Sequence, residues 1–112
     1  MTSYKVLLVC AAGMSSSLLE SKTREAAQAL GHELWIHALS VGLINTYDFA
    51  MKPVDMVLIA PQVRYKKKSV TELAGPHGAV VQDIDPVTFG MVDGEKLFQQ
   101  IVQAIHKEEP HE

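Results

Sequence analysis

The sequence predicts an α/β fold: a four-stranded parallel sheet, order 2-1-3-4, with helices on both faces. Three observations predict it. Short apolar, β-branched runs alternate four times with segments of helical periodicity, and such alternation builds parallel sheets covered on both sides. The chain has 112 residues, 47% of them apolar, enough for one core and too few for two, so residues 1–112 read as one domain. Right-handed crossovers then leave few topologies, of which the flavodoxin-like order 2-1-3-4 is the simplest.

In chain order, Tyr4–Val9 reads as a buried strand. In SSSLLESKTREAAQALG, Leu19, Thr23, Ala26, Ala27 and Leu30 share one helical face, and Gly31 suits the residue just past a helix end. Glu20 and Arg24, four apart, read as a surface ion pair. Leu34–Leu39 is the second strand. The crossover Ser40–Pro53 has room for a brief helix around Leu43–Asp48. Val54–Ala60 is the third strand, and Val63–Ala74 a helix that carries three consecutive lysines and stops before Gly75-Pro76. Ala79–Ile84 is the fourth strand. A last helix runs from Gly94 to about His106, with Leu97, Phe98, Ile101, Ala104 and Ile105 inward and Asp93 as N-cap. Residues 106–112 read as a frayed tail.

Charge and cysteine usage narrow the function. A formal charge of −3 argues against a nucleic-acid binder that works by neutralising phosphates. One cysteine cannot form an internal disulfide, and no signal peptide opens the chain, so the default setting is the reducing cytoplasm. The longest mostly apolar run, Val6–Met14, is far short of the roughly 20 residues of a membrane span. His32, His37, His77, His106 and His111 show no metal-ligand spacing, so neither metal nor cofactor is expected. Trp35 and the methionines read as packing residues.

The informative stretch is VLLVCAAGMSSSLL, residues 6–19. In a 2-1-3-4 sheet the winding direction reverses between strands 1 and 3, and ligands bind there, beyond the carboxyl ends of the strands. Strand 1 ends at Cys10 and strand 3 is followed by Pro61-Gln62. Gly13 allows close backbone approach to an anion. Ser15, Ser16 and Ser17 offer hydroxyls and helix caps. Unpaired N–H groups at a helix start, with the helix dipole, form a cradle for a phosphate-sized anion and favour a thiolate nucleophile. A Walker-type phosphate loop requires Gly-Lys-Ser/Thr, which is missing here. The plain alternative is an inert buried cysteine.

Cys10-Ala-Ala-Gly13-Met14-Ser15-Ser16-Ser17 resembles the phosphocysteine loop of enzyme IIB of the lactose/cellobiose/chitobiose branch of the bacterial phosphoenolpyruvate-dependent sugar phosphotransferase system. The resemblance runs from about Lys5 to Ala104 and includes Ala60-Pro61-Gln62 and Phe89-Gly90-Met91-Val92-Asp93-Gly94. Ala60 stands where the family more often has glycine, and Phe89 where it often has tyrosine. The resemblance implies a phosphotransferase: a phosphohistidine of a IIA partner phosphorylates Cys10, which passes the group to a sugar, a β-linked disaccharide, held by the IIC membrane transporter. It implies that Ala11, Ala12, Gly13, Met14, Ser15, Ser16 and Ser17 cradle the phosphate, with Gln62 on the rim, at the inner face of the membrane.

Two rivals share the loop. Low-molecular-weight tyrosine phosphatases have a similar fold and a Cys-x5-Arg-Ser/Thr loop whose arginine forks onto the phosphate; the position six beyond Cys10 is Ser16. A phosphatase also requires an acid. Asp85-Pro86 stands on the correct sheet edge, although Asp before Pro is also ordinary helix capping. A non-catalytic anion-binding domain is the second rival. Arg64-Tyr65-Lys66-Lys67-Lys68 reads either as a solvated helix face or as a docking rim for an acidic partner surface, with Arg64, Lys66 and Lys67 nearest the site.

Overall fold

A strand whose residues are apolar on both faces is stable only in the middle of a covered sheet, and Ser3–Cys10 (β1) takes that place. In the computed structural model, which describes residues 3–11 and 16–105, β1 pairs in parallel with Glu33–Ser40 (β2) on one side and Met56–Ile59 (β3) on the other. Val80–Asp83 (β4) lies beyond β3, so the order is β2-β1-β3-β4, as the alternation of elements predicts. The register sets Cys10 opposite Ser40 and Val9 opposite Ile59. β3 is shorter than the apolar run Val54–Ala60, yet the ladder continues past it: the Asp55 N–H donates to the Lys5 carbonyl at 2.8 Å, and the Ala60 N–H to the Val9 carbonyl at 2.9 Å.

The period of two along the strands divides the core into two layers. Tyr4, Val6 and Leu8, with Met56 and Leu58, pack with residues of two helices, Ser16–Ala29 (α1) and Gly94–Ile105 (α4). Leu7, Val9, Val57 and Ile59 face the other way, onto Ile44, Phe49, Val63, Val70 and Ala74. On α1 the buried stripe is Leu19, Thr23 and Ala27, whereas Leu30 is 66% exposed, because α1 ends at Ala29 and Gly31 (φ +81°) turns the chain away. The buried Thr23 hydroxyl is satisfied by donating to the Leu19 carbonyl at 2.7 Å. On α4, Leu97, Phe98 and Ile101 are buried and Ala104 and Ile105 half-buried, as their spacing predicts.

The second face departs from expectation in detail. The brief helix of the β2–β3 crossover is a 3-10 turn, Val41–Thr46, capped by Ser40. The helix expected over Val63–Ala74 divides in two: a 3-10 segment Pro61–Lys66, broken at Val63 (φ −122°, ψ 21°), and then Lys67–Ala74 (α2). The break turns the Val63 side chain into the core, where it is 3% exposed. α2 packs over β4, and its Val70 and Ala74 join the second layer with Val57 and Ile59. The 3-10 turn is too short to cover β2. Trp35 therefore remains 47% exposed and stacks on His37 at 5.8 Å between ring centroids, so its role is not core packing. His32, by contrast, packs edgewise against Tyr4 at 5.8 Å and tilted against Phe98 at 5.8 Å.

A short helix, Pro86–Gly90 (α3), precedes α4. Between them Val92 adopts φ +52°, and the Asp93 carboxylate accepts from the Lys96 N–H at 3.1 Å, the N-cap that the sequence predicts. α4 then crosses α1 so closely at Gly94 that a Cβ there would lie 2.3 Å from the Lys22 carbonyl carbon and 2.6 Å from the Thr23 nitrogen. Both obstacles are backbone and cannot swing aside. Gly94→Ala is expected to destabilise the protein by about 2–3 kcal/mol; an unchanged midpoint in urea denaturation would contradict this close crossing.

Candidate functional site

Four strand ends meet at the carboxyl edge of the sheet: Cys10, Ser40, Ala60 and Ile84. Parallel pairing brings them together, since each crossover returns to the amino edge and leaves every loop after a strand on one side. Cys10 closes the central strand and is 6% exposed. Its thiol donates to the Leu39 carbonyl of β2 at 3.8 Å, and it belongs to the second core layer together with Ile59, Ala60 and Val63.

Of the loop residues expected to cradle an anion, Ala12, Gly13, Met14 and Ser15 lie outside the described residues. Ala11 is half-buried beside Cys10, Ser16 opens α1, and Ser17 is exposed in its first turn. The chain therefore leaves β1 at Cys10 and is helical by Ser16, the abrupt strand-to-helix change that the Gly/Ser composition predicts. The first-turn N–H groups of any α-helix have no intrahelical partner.

The other three strand ends carry the remaining candidate residues. After β3, Ala60-Pro61 opens the 3-10 segment, with proline at its first position and Gln62 exposed in its first turn. Arg64 is exposed and Lys66 half-buried. Lys67 does not point freely to solvent: its Nζ pairs with the Asp83 carboxylate at the end of β4, at 3.7 Å, so one charge of the basic cluster is partly neutralised. Ser40, opposite Cys10 in the ladder, turns its Oγ back to accept from the Gly42 N–H at 3.4 Å. Sequence reasoning passed over Ser40; the signal was present, because it ends the second strand as Cys10 ends the first.

Asp85 is a helix cap. Its Oδ2 accepts from the Val87 and Thr88 N–H groups, both at 3.1 Å, and from the Thr88 hydroxyl at 3.4 Å, with Pro86 at the first helical position. The carboxylate is thus engaged at the start of α3. Neither arginine of the chain belongs to the Cys10 loop: Arg24 is bound to the Ile36 carbonyl and Glu20, and Arg64 lies in the 3-10 segment after β3. Phe89, half-buried, packs against both core layers and brings no hydroxyl. Among the described residues no group of three or more His, Cys, Asp or Glu side chains could hold a metal ion. No helix of the described residues is long and apolar enough to cross a membrane.

This fold and site define a class of small α/β proteins with a single cysteine at the topological switch point of a parallel sheet. Residues 5–100 match the family described as PTS system, Lactose/Cellobiose specific IIB subunit. Over 96 residues, 86% of this chain and 90% of the relative, it is 40% identical to the oligo-beta-mannoside-specific EIIB component of the PTS of Bacillus subtilis. Over 95 residues, 82% of this chain and 87% of the relative, it is 37% identical to the cellobiose-specific EIIB component of Lactococcus lactis. The solution structure of the cellobiose-specific phosphotransferase IIB component of Borrelia burgdorferi superposes with a TM-score of 0.70 at 32% identity, covering 93% of each chain. The lactose-specific IIB domain of Streptococcus pneumoniae shares the fold, at TM-score 0.76 and 20% identity over 91% of this chain and 97% of that one. The chain belongs to the lactose/cellobiose-specific IIB family of the phosphotransferase system. It is a phosphotransferase component of sugar uptake.

Replacing Asp85 by Ala removes the α3 cap and is expected to cost about 1 kcal/mol of stability. Thermal unfolding measures this, and a variant as stable as the parent would show that the cap contributes nothing.

Proposed function

We propose that Cys10 is the phosphoryl carrier of a single IIB domain that accepts from a IIA phosphohistidine and donates to a sugar held by a IIC transporter. The observation that supports this most is the position of the one cysteine of the chain, at the end of the central strand and one short loop before α1. In the first half-reaction the Cys10 sulfur attacks phosphorus. An S–P bond forms as the donor's N–P bond breaks, the imidazole leaves, and the thiol proton passes to solvent. In the second, a sugar hydroxyl oxygen attacks, a P–O bond forms, the S–P bond breaks, and the hydroxyl proton is lost. For either step the sulfur must exchange its contact with the Leu39 carbonyl for the crevice above the sheet.

The cradle is the backbone of residues 11–17 with the hydroxyls of Ser15, Ser16 and Ser17, and the first-turn amides of α1 supply the positive potential. Gln62 belongs to its rim. A carrier has reason to lack the phosphatase arginine, because strong stabilisation of attack by water would drain the phosphoryl group before the next acceptor docks. The sugar is a β-linked disaccharide, a reading supported by the cellobiose-specific relative, while the galactose-specific relative of Lactococcus lactis at the same 37% identity makes a monosaccharide the alternative. The domain works in the cytoplasm, docked to its transporter at the inner face of the membrane.

Incubation with a histidine-phosphorylated IIA protein, followed by intact mass measurement, is expected to add one phosphoryl group to the wild type and none to Cys10→Ser. Labelling of the serine variant would move the acceptor elsewhere. Phospho-Cys10 should hydrolyse slowly on its own, and rapid turnover of an aryl phosphate would favour the phosphatase. The charges of Arg64, Lys66, Lys67 and Lys68, of which Lys66 is half-buried and Lys67 is paired with Asp83, form the docking rim for the donor. Glutamate at all three lysine positions should slow transfer by about tenfold or more at low salt and by less at high salt. A rate independent of both substitution and salt would remove the cluster from the docking surface.

A further inference from the structure

β2 has a neighbour on one side only, and a strand edge leaves backbone donors and acceptors that must be satisfied elsewhere. Two side chains of α1 satisfy a pair of them. Glu20 Oε2 accepts from the Ala38 N–H, and Arg24 Nη2 donates to the Ile36 carbonyl at 3.2 Å. The two side chains stand 3.9 Å apart as an ion pair, so each braces the other over the edge. The sequence alone reads them as a solvated pair, but the Glu20 side chain is only 18% exposed.

The same stretch of β2 also holds the sulfur. Leu39, adjacent to Ala38, offers its carbonyl to Cys10 Sγ at 3.8 Å, and Ser40 is the ladder partner of Cys10. α1 starts at Ser16, about one turn before Glu20. The carboxyl end of β2 is thus gripped by Cys10 through Leu39 and by the first turns of α1 through Ala38.

We propose that Glu20, braced by Arg24, is a positioning residue for phosphoryl transfer: it ties the start of α1 to the strand end that holds the Cys10 sulfur. The inference rests on Cys10 being the phosphoacceptor. Helix amides stabilise an anion only where they are aimed at it, and a misplacement of about 1 Å can cost about 100-fold in rate. Glu20 acts through the helix and touches neither sulfur nor phosphoryl group.

The test is transfer from a histidine-phosphorylated IIA protein to wild type, Glu20→Ala, Glu20→Gln and Arg24→Ala, at a temperature where circular dichroism shows each folded. Glutamine keeps a carbonyl oxygen for the Ala38 N–H, and alanine keeps nothing. Glu20→Ala is expected to lower kcat by about 10- to 100-fold, with KM for the donor within about twofold. Glu20→Gln should return kcat to within about threefold of wild type. A role in stability alone would leave kcat equal among folded variants. Should Glu20→Ala fail to fold, Arg24→Ala carries the test, with a fall of about three- to tenfold expected in kcat alone. Wild-type kcat in the alanine variants, or a change confined to KM, overturns the positioning role. Absence of label on the wild type itself would overturn the carrier reading, and this inference with it, a result distinct from a labelled wild type with indifferent variants.

Discussion

Pairing on both sides of β1 is the constraint on which the rest of the structure depends. An inner strand has its backbone groups satisfied in two directions, and its side chains here fill both layers of the core. Its last residue, Cys10, pairs with Ser40 of β2 and directly follows Val9, which is held by both ladders. A nucleophile on a long surface loop would have no such anchor.

The two faces of the sheet divide the work unequally. α1 and α4 cover one face and meet at Gly94, where backbone approaches backbone. That face is closely packed, and α1 is set by it along its length, through Leu19, Thr23 and Ala27. The other face has α2 over β4 and only a 3-10 turn after β2. The thin cover leaves Trp35 and His37 exposed on the edge strand, while the open edge itself is partly closed by Glu20 and Arg24. Edge protection and placement of the helix start are thus achieved by the same pair of side chains.

A carrier differs from a hydrolase on closely related architecture by what is withheld. The Asp85 carboxylate serves as a cap, and both arginines lie outside the cysteine loop. Cys10 itself belongs to the second apolar layer, and no basic residue stands in the sequence between it and α1. In the proposed carrier role, helix dipoles hold the phosphoryl group and reduce its charge less than a guanidinium would. In that role the docking partner supplies the missing stabilisation, which ties transfer to recognition.

The sequence by itself determined the alternation of elements, the strand order and the place of Cys10, because periodicities of 2 and 3.6 and the handedness of crossovers are local or generic rules. It also located the turn at Gly31, the caps Asp85 and Asp93, and the inward face of α4, all short-range features. Only the tertiary structure decided the break at Val63, the exposure of Trp35 and Leu30, the Lys67–Asp83 pair, and the setting of Glu20 and Arg24 on β2. Each of these depends on contacts between segments far apart in the chain. A residue's own neighbours can state its preference, but they cannot say how much cover a short crossover will leave or which strand edge a side chain will reach.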